Sequence, residues 1–311
     1  MKPRLSTRAF VRGPAAISAI AASAALATLA AVAALAPALV AAAPRELSPG
    51  ELLARVAPAI VSVKVVLKTE FNMGDSMQEQ ESVLDALGAV VDPDGLILLW
   101  NSQLSASRLM DAVRQMGEGE EFRIKMTPTD FRVTFAGDPR EHRAFLAASD
   151  SELDLAFLQL EEKPEQPLPS VEFGRSRPTE IGDTVVGVSR LSPAFDRAAY
   201  FETGHIAGRI AKPAAAFILD ASPALLGLPV FDLQGRAVGA VATVLSRVSE
   251  PSSQGGDMMS YFALGRGRME SGPLGVFLLP GERVQELVSA ARLRARELLA
   301  ERQPASPSAA E

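Results

Sequence analysis

Residues 221–239 read ASPALLGLPVFDLQGRAVG. The second half is a hairpin signal: two apolar runs, Val230-Phe231 and Ala237-Val238, flank Asp232-Leu-Gln-Gly235, where aspartate and glycine supply turn chemistry. The first half, Pro223-Ala-Leu-Leu-Gly-Leu-Pro229, is also punctuated as a turn, yet Leu225, Leu226 and Leu228 stand where polar residues are usual. Two questions follow: what a chain of such hairpins builds, and what an apolar turn does in it.

Outward from this stretch the period is that of strands. Ile60–Leu67 is β-branched, and Gly88–Val91 and Gly95–Trp100 flank the hairpin turn Asp92-Pro-Asp-Gly95. Phe131–Phe135 alternates, Leu155–Leu160 follows two acids, and Asp183–Val188, Phe217–Leu219 and Ala237–Val244 complete the set. Short strands with turn signals every ~8–12 residues predict an all-β barrel or sandwich. Two segments depart from this. Residues 105–116 place Leu109, Met110, Val113 and Met116 at helical spacing before Gly117. After a last strand at Gly275–Leu279, Val284, Leu287, Val288, Ala291, Ala295 and Leu298 share one face of a helix over about 281–301. The tail 303–311 is polar and small, with the composition of a disordered segment.

The first 42 residues belong to a different class. Lys2, Arg4, Arg8 and Arg12 precede an uncharged, alanine-rich run over 15–43. Val40-Ala41-Ala42 then fits the small-x-small cleavage rule, so residues 1–42 read as a secretory signal. The run is also long enough for an uncleaved membrane anchor, a possible tether through residues 15–43 that Pro37 and alanine's weak hydrophobicity argue against. Either way residues from 43 on are expected to be exported. There is no cysteine, so a hydrophobic core must hold the fold without disulfides. Without the four basic residues of the leader the formal net charge of −6 becomes −10, with no Lys/Arg cluster beyond it, which disfavours nucleic-acid binding. With no cysteine and only His142 and His205, no metal-ligand spacing exists and no cofactor is implied.

The order of signals, APAIVSVKVVL at 57–67, then GAVVDPDGLILLWN, DFRVTFAGDPREHRAFLAASDSELDLAFLQLE, IGDTVVGVS, ETGHIAGRI and the stretch quoted first, resembles the protease domain of the HtrA/Deg family of trypsin-like serine peptidases. The resemblance extends over about residues 50–300 and includes GPLGVFLLPGERVQELV, which is similar to that family's last strand and C-terminal helix. It implies a trypsin-like double β-barrel with a C-terminal α-helix. The first barrel would span about 50–165, the second about 170–280, and the domain 43–302, with the active site in the inter-barrel cleft. The family's usual PDZ domain has no counterpart before the chain ends.

What the resemblance implies for catalysis is loss. In this mechanism a serine attacks, a histidine takes its proton and an aspartate holds the histidine. The family's histidine position, after the second strand of the Asp-Pro-Asp-Gly hairpin, falls on Ser102; its aspartate matches Asp154; its nucleophilic serine falls on Leu226. Leucine has no lone pair with which to attack, and a serine hydroxyl is no base near neutral pH. In the oxyanion loop Ala224 and Leu228 replace glycines around Gly227, which suggests a relaxed turn whose N–H groups no longer converge. His142 opens a strand leading away from the cleft, His205 lies on a second-barrel strand, and Ser222 reads as a turn residue. Asp154 is either the surviving triad acid or a turn aspartate that accepts backbone hydrogen bonds.

The leading expectation is therefore an inactive trypsin-like pseudoprotease of the periplasm or cell envelope that binds a peptide or protein partner, its strand edges suited to β-augmentation. An active serine endopeptidase with a non-standard site, or a structural subunit for an active relative, are the alternatives. The leucines of the 223–229 turn either fill the old active-site floor or make it an apolar contact surface. The acidic segment 68–85, in the place of a variable loop, and the insertion 105–127 are candidates for partner specificity.

Overall fold

The structure, a computed structural model, describes residues 45–73, 76–107, 110, 122–174, 178–212, 214–245 and 274–302. The leader 1–42, the tail 303–311 and most of the 105–116 helix lie outside the described residues.

Twelve strands close into two six-stranded antiparallel barrels. The first is ordered β1-β2-β3-β6-β5-β4, with β1 Ile60–Met73, β2 Ser76–Asp92, β3 Leu96–Trp100, β4 Phe122–Thr134, β5 His142–Asp150 and β6 Leu155–Leu160. The second is ordered β10-β11-β12-β9-β8-β7, with β7 Thr184–Arg190, β8 Ala199–Ile210, β9 Ala216–Asp220, β10 Pro229–Phe231, β11 Ala237–Leu245 and β12 Leu274–Pro280. This is the all-β fold expected from the strand spacing and the double barrel implied by the resemblance.

The two-residue period sorts side chains between three cores. Along β3, Ile97 and Leu99 join Val61, Val63 and Val65 inside the first barrel. Leu96 and Leu98 point the other way, into a cluster shared with the second barrel's Val186, Val188, Leu228 and Ala240. The interior of the second barrel holds Val185, Ile206, Leu219, Val230 and Val241. A strand buried on both faces reads as a continuous apolar run, which is why Leu96–Leu99 and Leu155–Leu158 show no alternation.

Both Asp-x-x-Gly hairpins use one device. Gly95 and Gly235 take positive φ of 95° and 75°, and their N–H groups donate to the carbonyls of Asp92 and Asp232 at 2.9 Å. Each aspartate side chain accepts from the residue two positions on, Asp94 at 2.8 Å and Gln234 at 2.9 Å.

Helices strap the barrels together. Helix α1, Pro49–Val56, is set by a capping box in which Glu51 N–H donates to Ser48 Oγ and Ser48 N–H donates to the Glu51 carboxylate at 2.8 Å. Leu52 and Val56 are buried. Although α1 precedes the first barrel in sequence, Leu47 N–H donates to Leu233 O at 2.7 Å and Arg55 to Gln234 O, both in the second barrel's β10–β11 turn. Helix α2, Gly281–Arg302, returns the favour, burying Val284, Val288, Ala291 and Ala295 in the shared core. Arg292 pairs with Asp92, and Arg302 lies 4.2 Å over the Phe145 ring in the first barrel. Arg190, at the end of β7, donates to Ala57 O at 2.6 Å, Ile60 O at 2.8 Å and Arg197 O at 3.1 Å, tying the second barrel to the start of β1. Its burial lowers its pKa from the ordinary arginine value.

Three details differ from the sequence expectation. No helix was expected at 49–56, although Ser48-Pro-Gly-Glu51 carries the capping-box signature. The segment 68–85 is not a loop: the β1–β2 ladder runs from Ile60↔Ala89 to Met73↔Ser76 without a shift. Cross-strand pairing of Lys68 with Glu79 at 2.9 Å supports a ribbon that composition alone reads as a polar loop. Residues 122–127 of the 105–127 insertion belong to β4.

Candidate functional site

Ser102 and Asp154 meet at the end of β3. Beyond Trp100 the chain enters a short 3₁₀ turn, Asn101–Gln103, held by Asn101 N–H donating to Asp154 O at 3.0 Å. Asp154 sits just before β6 with φ 60° and no exposed surface. Side chains donate to its carboxylate: Ser102 Oγ–H to Oδ1 at 2.7 Å, Trp100 Nε1–H to Oδ2 at 2.6 Å, and Thr243 Oγ1–H to Oδ2. Asp154 is thus a buried acceptor joining the barrels, because Thr243 lies on β11 and is itself 1% exposed. The turn before it has an aspartate of its own: Asp150 Oδ1 accepts from the N–H groups of Glu152 and Leu153 at 2.9 and 2.8 Å.

Sequence reasoning missed Thr243. The available signal was one hydroxyl inside the apolar run Ala237–Leu245, a position whose burial demands a polar partner. The sequence places Trp100 only at the end of the strand Gly95–Trp100. In the structure the indole N–H of this half-buried side chain has its partner in Asp154.

The 223–229 turn packs on the same region. Gly227 has φ 77°, and a Cβ there would lie 2.3 Å from the Trp100 nitrogen, so the backbone of the turn rests on the backbone of β3. Trp100 also packs against the cluster that contains Leu225 and Leu226. Ser102, Asp154 and Leu226 therefore border one region between the barrels. The leucines fill it: Leu225, Leu226 and Leu228 are 1%, 9% and 0% exposed. Leu225 enters the second barrel against Gly187, where any β-carbon would meet its Cδ1 at 2.3 Å, and Leu228 joins the shared core.

The turn's N–H groups face inward. Pro223–Leu225 form a 3₁₀ turn capped by Ser222, whose Oγ accepts from Ala224 N–H at 3.1 Å. Leu226 N–H donates to Pro223 O at 3.1 Å, Gly227 N–H to Val241 O at 2.8 Å and Leu228 N–H to Leu225 O at 2.9 Å. No pair of these donors is left to converge on an oxyanion. Ser222 is spent as a cap.

The histidines are placed elsewhere. His142 opens β5 with Nε2 3.4 Å from Asp138 Oδ2, and its ring meets Phe135 edge-on. That carboxylate already holds the Arg140 guanidinium, whose side-chain and backbone hydrogen bonds keep Asp138 well below the usual carboxylate range. His205 lies on β8 opposite Thr184 and Asp220. Among the described residues, no group of three or more His, Cys, Asp or Glu side chains gathers to hold a metal ion.

A family model of the trypsin-like peptidase domain matches residues 86–239, from within β2 to within β11. The match takes in Ser102, Asp154 and the 223–229 turn, so this part of the chain is similar to trypsin-like peptidases, and the two closed barrels give it the trypsin-like fold. No curated protein matches it.

Proposed function

We propose that this chain is a catalytically inactive trypsin-like protein of HtrA type, exported to the cell envelope, that works by binding a peptide or protein partner. The observation that carries this reading is Leu226, an aliphatic side chain at the nucleophile position of the resemblance and buried against Trp100. Two further features point the same way. Ser102, at the position of the base, donates its proton to Asp154 and offers no basic nitrogen. Ala224 and Leu226 N–H groups, the donors that would polarise a carbonyl, are bonded within their own turn. Each element of acyl-transfer chemistry has been replaced by one that stabilises the fold.

Export rests on the basic, alanine-rich leader. The test is incubation of the full chain with casein and with a fluorophosphonate probe. No hydrolysis and no label are expected. Labelling of any serine, Ser222 included, overturns the reading and favours an endopeptidase with a non-standard site.

A further inference from the structure

We propose that the outer edge of β2, from Ser76 to Leu87, is the docking site for an extended basic segment of a partner protein, which adds to the sheet as a further strand. β2 pairs with β1 along its whole length, but with β3 only over Gly88–Asp92. Among the described residues, no strand covers the other edge over the remaining stretch, which leaves a row of N–H and C=O groups of the kind that strand addition satisfies.

The opposite edge of this ribbon is treated differently. β4 also outruns its outer neighbour, pairing with β5 only over Phe131–Val133. There, however, Pro128 removes a donor beside a register shift, and Ile124 N–H donates to Met110 Sδ at 3.4 Å. Among the described residues, one edge is guarded and the other is open.

The side chains of the open edge specify the occupant. On one face of β2 the alternating residues are Glu79, Glu81, Val83 and Asp85, all exposed, with Val83 at 59%. A second copy fits badly: β2–β2 pairing centred on Ser82 sets Glu79 opposite Asp85, and pairing centred on Val83 sets Glu81 opposite Asp85, like charges that oppose pairing. An added antiparallel strand instead matches this face with basic, apolar, basic and basic residues at alternate positions, opposite Asp85, Val83, Glu81 and Glu79 in turn. The other face offers Leu84, Ser82 and Gln80, which takes an apolar and then small polar residues. This inference rests on the reading of the protein as a binder but not on the loss of catalysis, so its failure leaves the inert cleft to be judged by the labelling experiment alone.

The probe is a labelled peptide, Lys-Val-Val-Thr-Lys-Thr-Lys, titrated into the full chain by fluorescence anisotropy. Its acidic counterpart, with Glu for each Lys, and a copy N-methylated at alternate residues are titrated alongside. The basic peptide is expected to bind and to slow amide exchange over Ser76–Leu87. Glu81→Lys with Asp85→Lys weakens it by about tenfold and strengthens the acidic peptide by a similar factor, since each cross-strand charge pair is worth a fraction of a kcal/mol and both change sign. That exchange of preference also shows that the variant is folded. The N-methylated peptide, with the same charge but blocked backbone donors, does not bind. No saturable binding of the basic peptide, equal binding of the N-methylated copy, or protection outside β2 would each overturn the proposal.

Discussion

Substituting Asp154 separates a structural acceptor from a catalytic relic. In Asp154→Asn the amide offers one oxygen and one NH₂. Trp100 Nε1 can only donate, so the oxygen must take the Oδ2 place, where it also keeps Thr243 Oγ1–H. The NH₂ then faces Ser102, whose hydroxyl turns to accept. These three bonds survive in weaker form, and asparagine tolerates the φ of 60°. The cost is about 1–2 kcal/mol, the difference between hydrogen bonds to a carboxylate and to a neutral amide. Asp154→Ala removes the acceptor of the Trp100 Nε1–H and Thr243 Oγ1–H bonds, at about 1–3 kcal/mol each. Alanine at positive φ adds about 1–2 kcal/mol, for a total of about 3–8 kcal/mol. The protein supplies its own probe, because Trp100 is the one tryptophan in the chain. Urea unfolding followed by its emission, with far-UV circular dichroism as a second signal, should place Asp154→Ala at least ~1 kcal/mol below Asp154→Asn. If the two variants are equally damaging, or if alanine costs less than ~1 kcal/mol, the carboxylate is not the acceptor hub described here.

Three further outcomes are expected. The double variant Ser102→His with Leu226→Ser rebuilds the side chains of a triad yet leaves casein uncleaved, because losing one oxyanion donor alone costs ~10²–10³ in kcat and two are turned inward here; cleavage above the parent's background would show that the turn reopens. Arg190→Lys loses the forked donation to Ala57, Ile60 and Arg197 carbonyls and costs about 1.5–3 kcal/mol in urea titration, with an unchanged midpoint counting against a staple between the barrels. The Asp138 carboxylate is held low by Arg140, so its contribution is present above the ordinary carboxylate range and fades as pH falls through its lowered pKa. Asp138→Asn should therefore lower the melting temperature at pH 7 and converge on the parent only under strongly acid conditions, whereas a gap that widens toward low pH has the wrong sign.

The barrels were legible because their information is local. Asp92-Pro-Asp-Gly95 and Asp232–Gly235 declare hairpins, and β-branched runs such as Ile60–Leu67 declare strands. What stayed hidden was long-range or disguised by polarity. Thr243 binds Asp154 across 89 residues of chain, and no period or spacing near Thr243 announces that partner. The ribbon over 68–85 reads as a loop because both its faces are polar beyond the barrel. Its strand character comes from ladder hydrogen bonds and cross-strand ion pairs, which single-sequence patterning does not register.

The geometry also explains why histidine at 102 and serine at 226 would not by themselves make a working site. The side chains there and the backbone of the turn support one another. Leu226 is held by packing with Leu225 on the second-barrel core. Leu225 N–H donates to Ser222 O and Leu226 N–H to Pro223 O, so the leucines and the inward-facing 3₁₀ turn support one another. Ser102 completes a hydroxyl and indole shell around Asp154 that Thr243 closes from the other barrel. Replacing Leu226 by serine exposes apolar neighbours without loosening the turn, and replacing Ser102 by histidine must open a shell that also joins the barrels. The region between the barrels is packed as core, so the proposed recognition of a partner falls to surfaces outside it, such as the edge of β2.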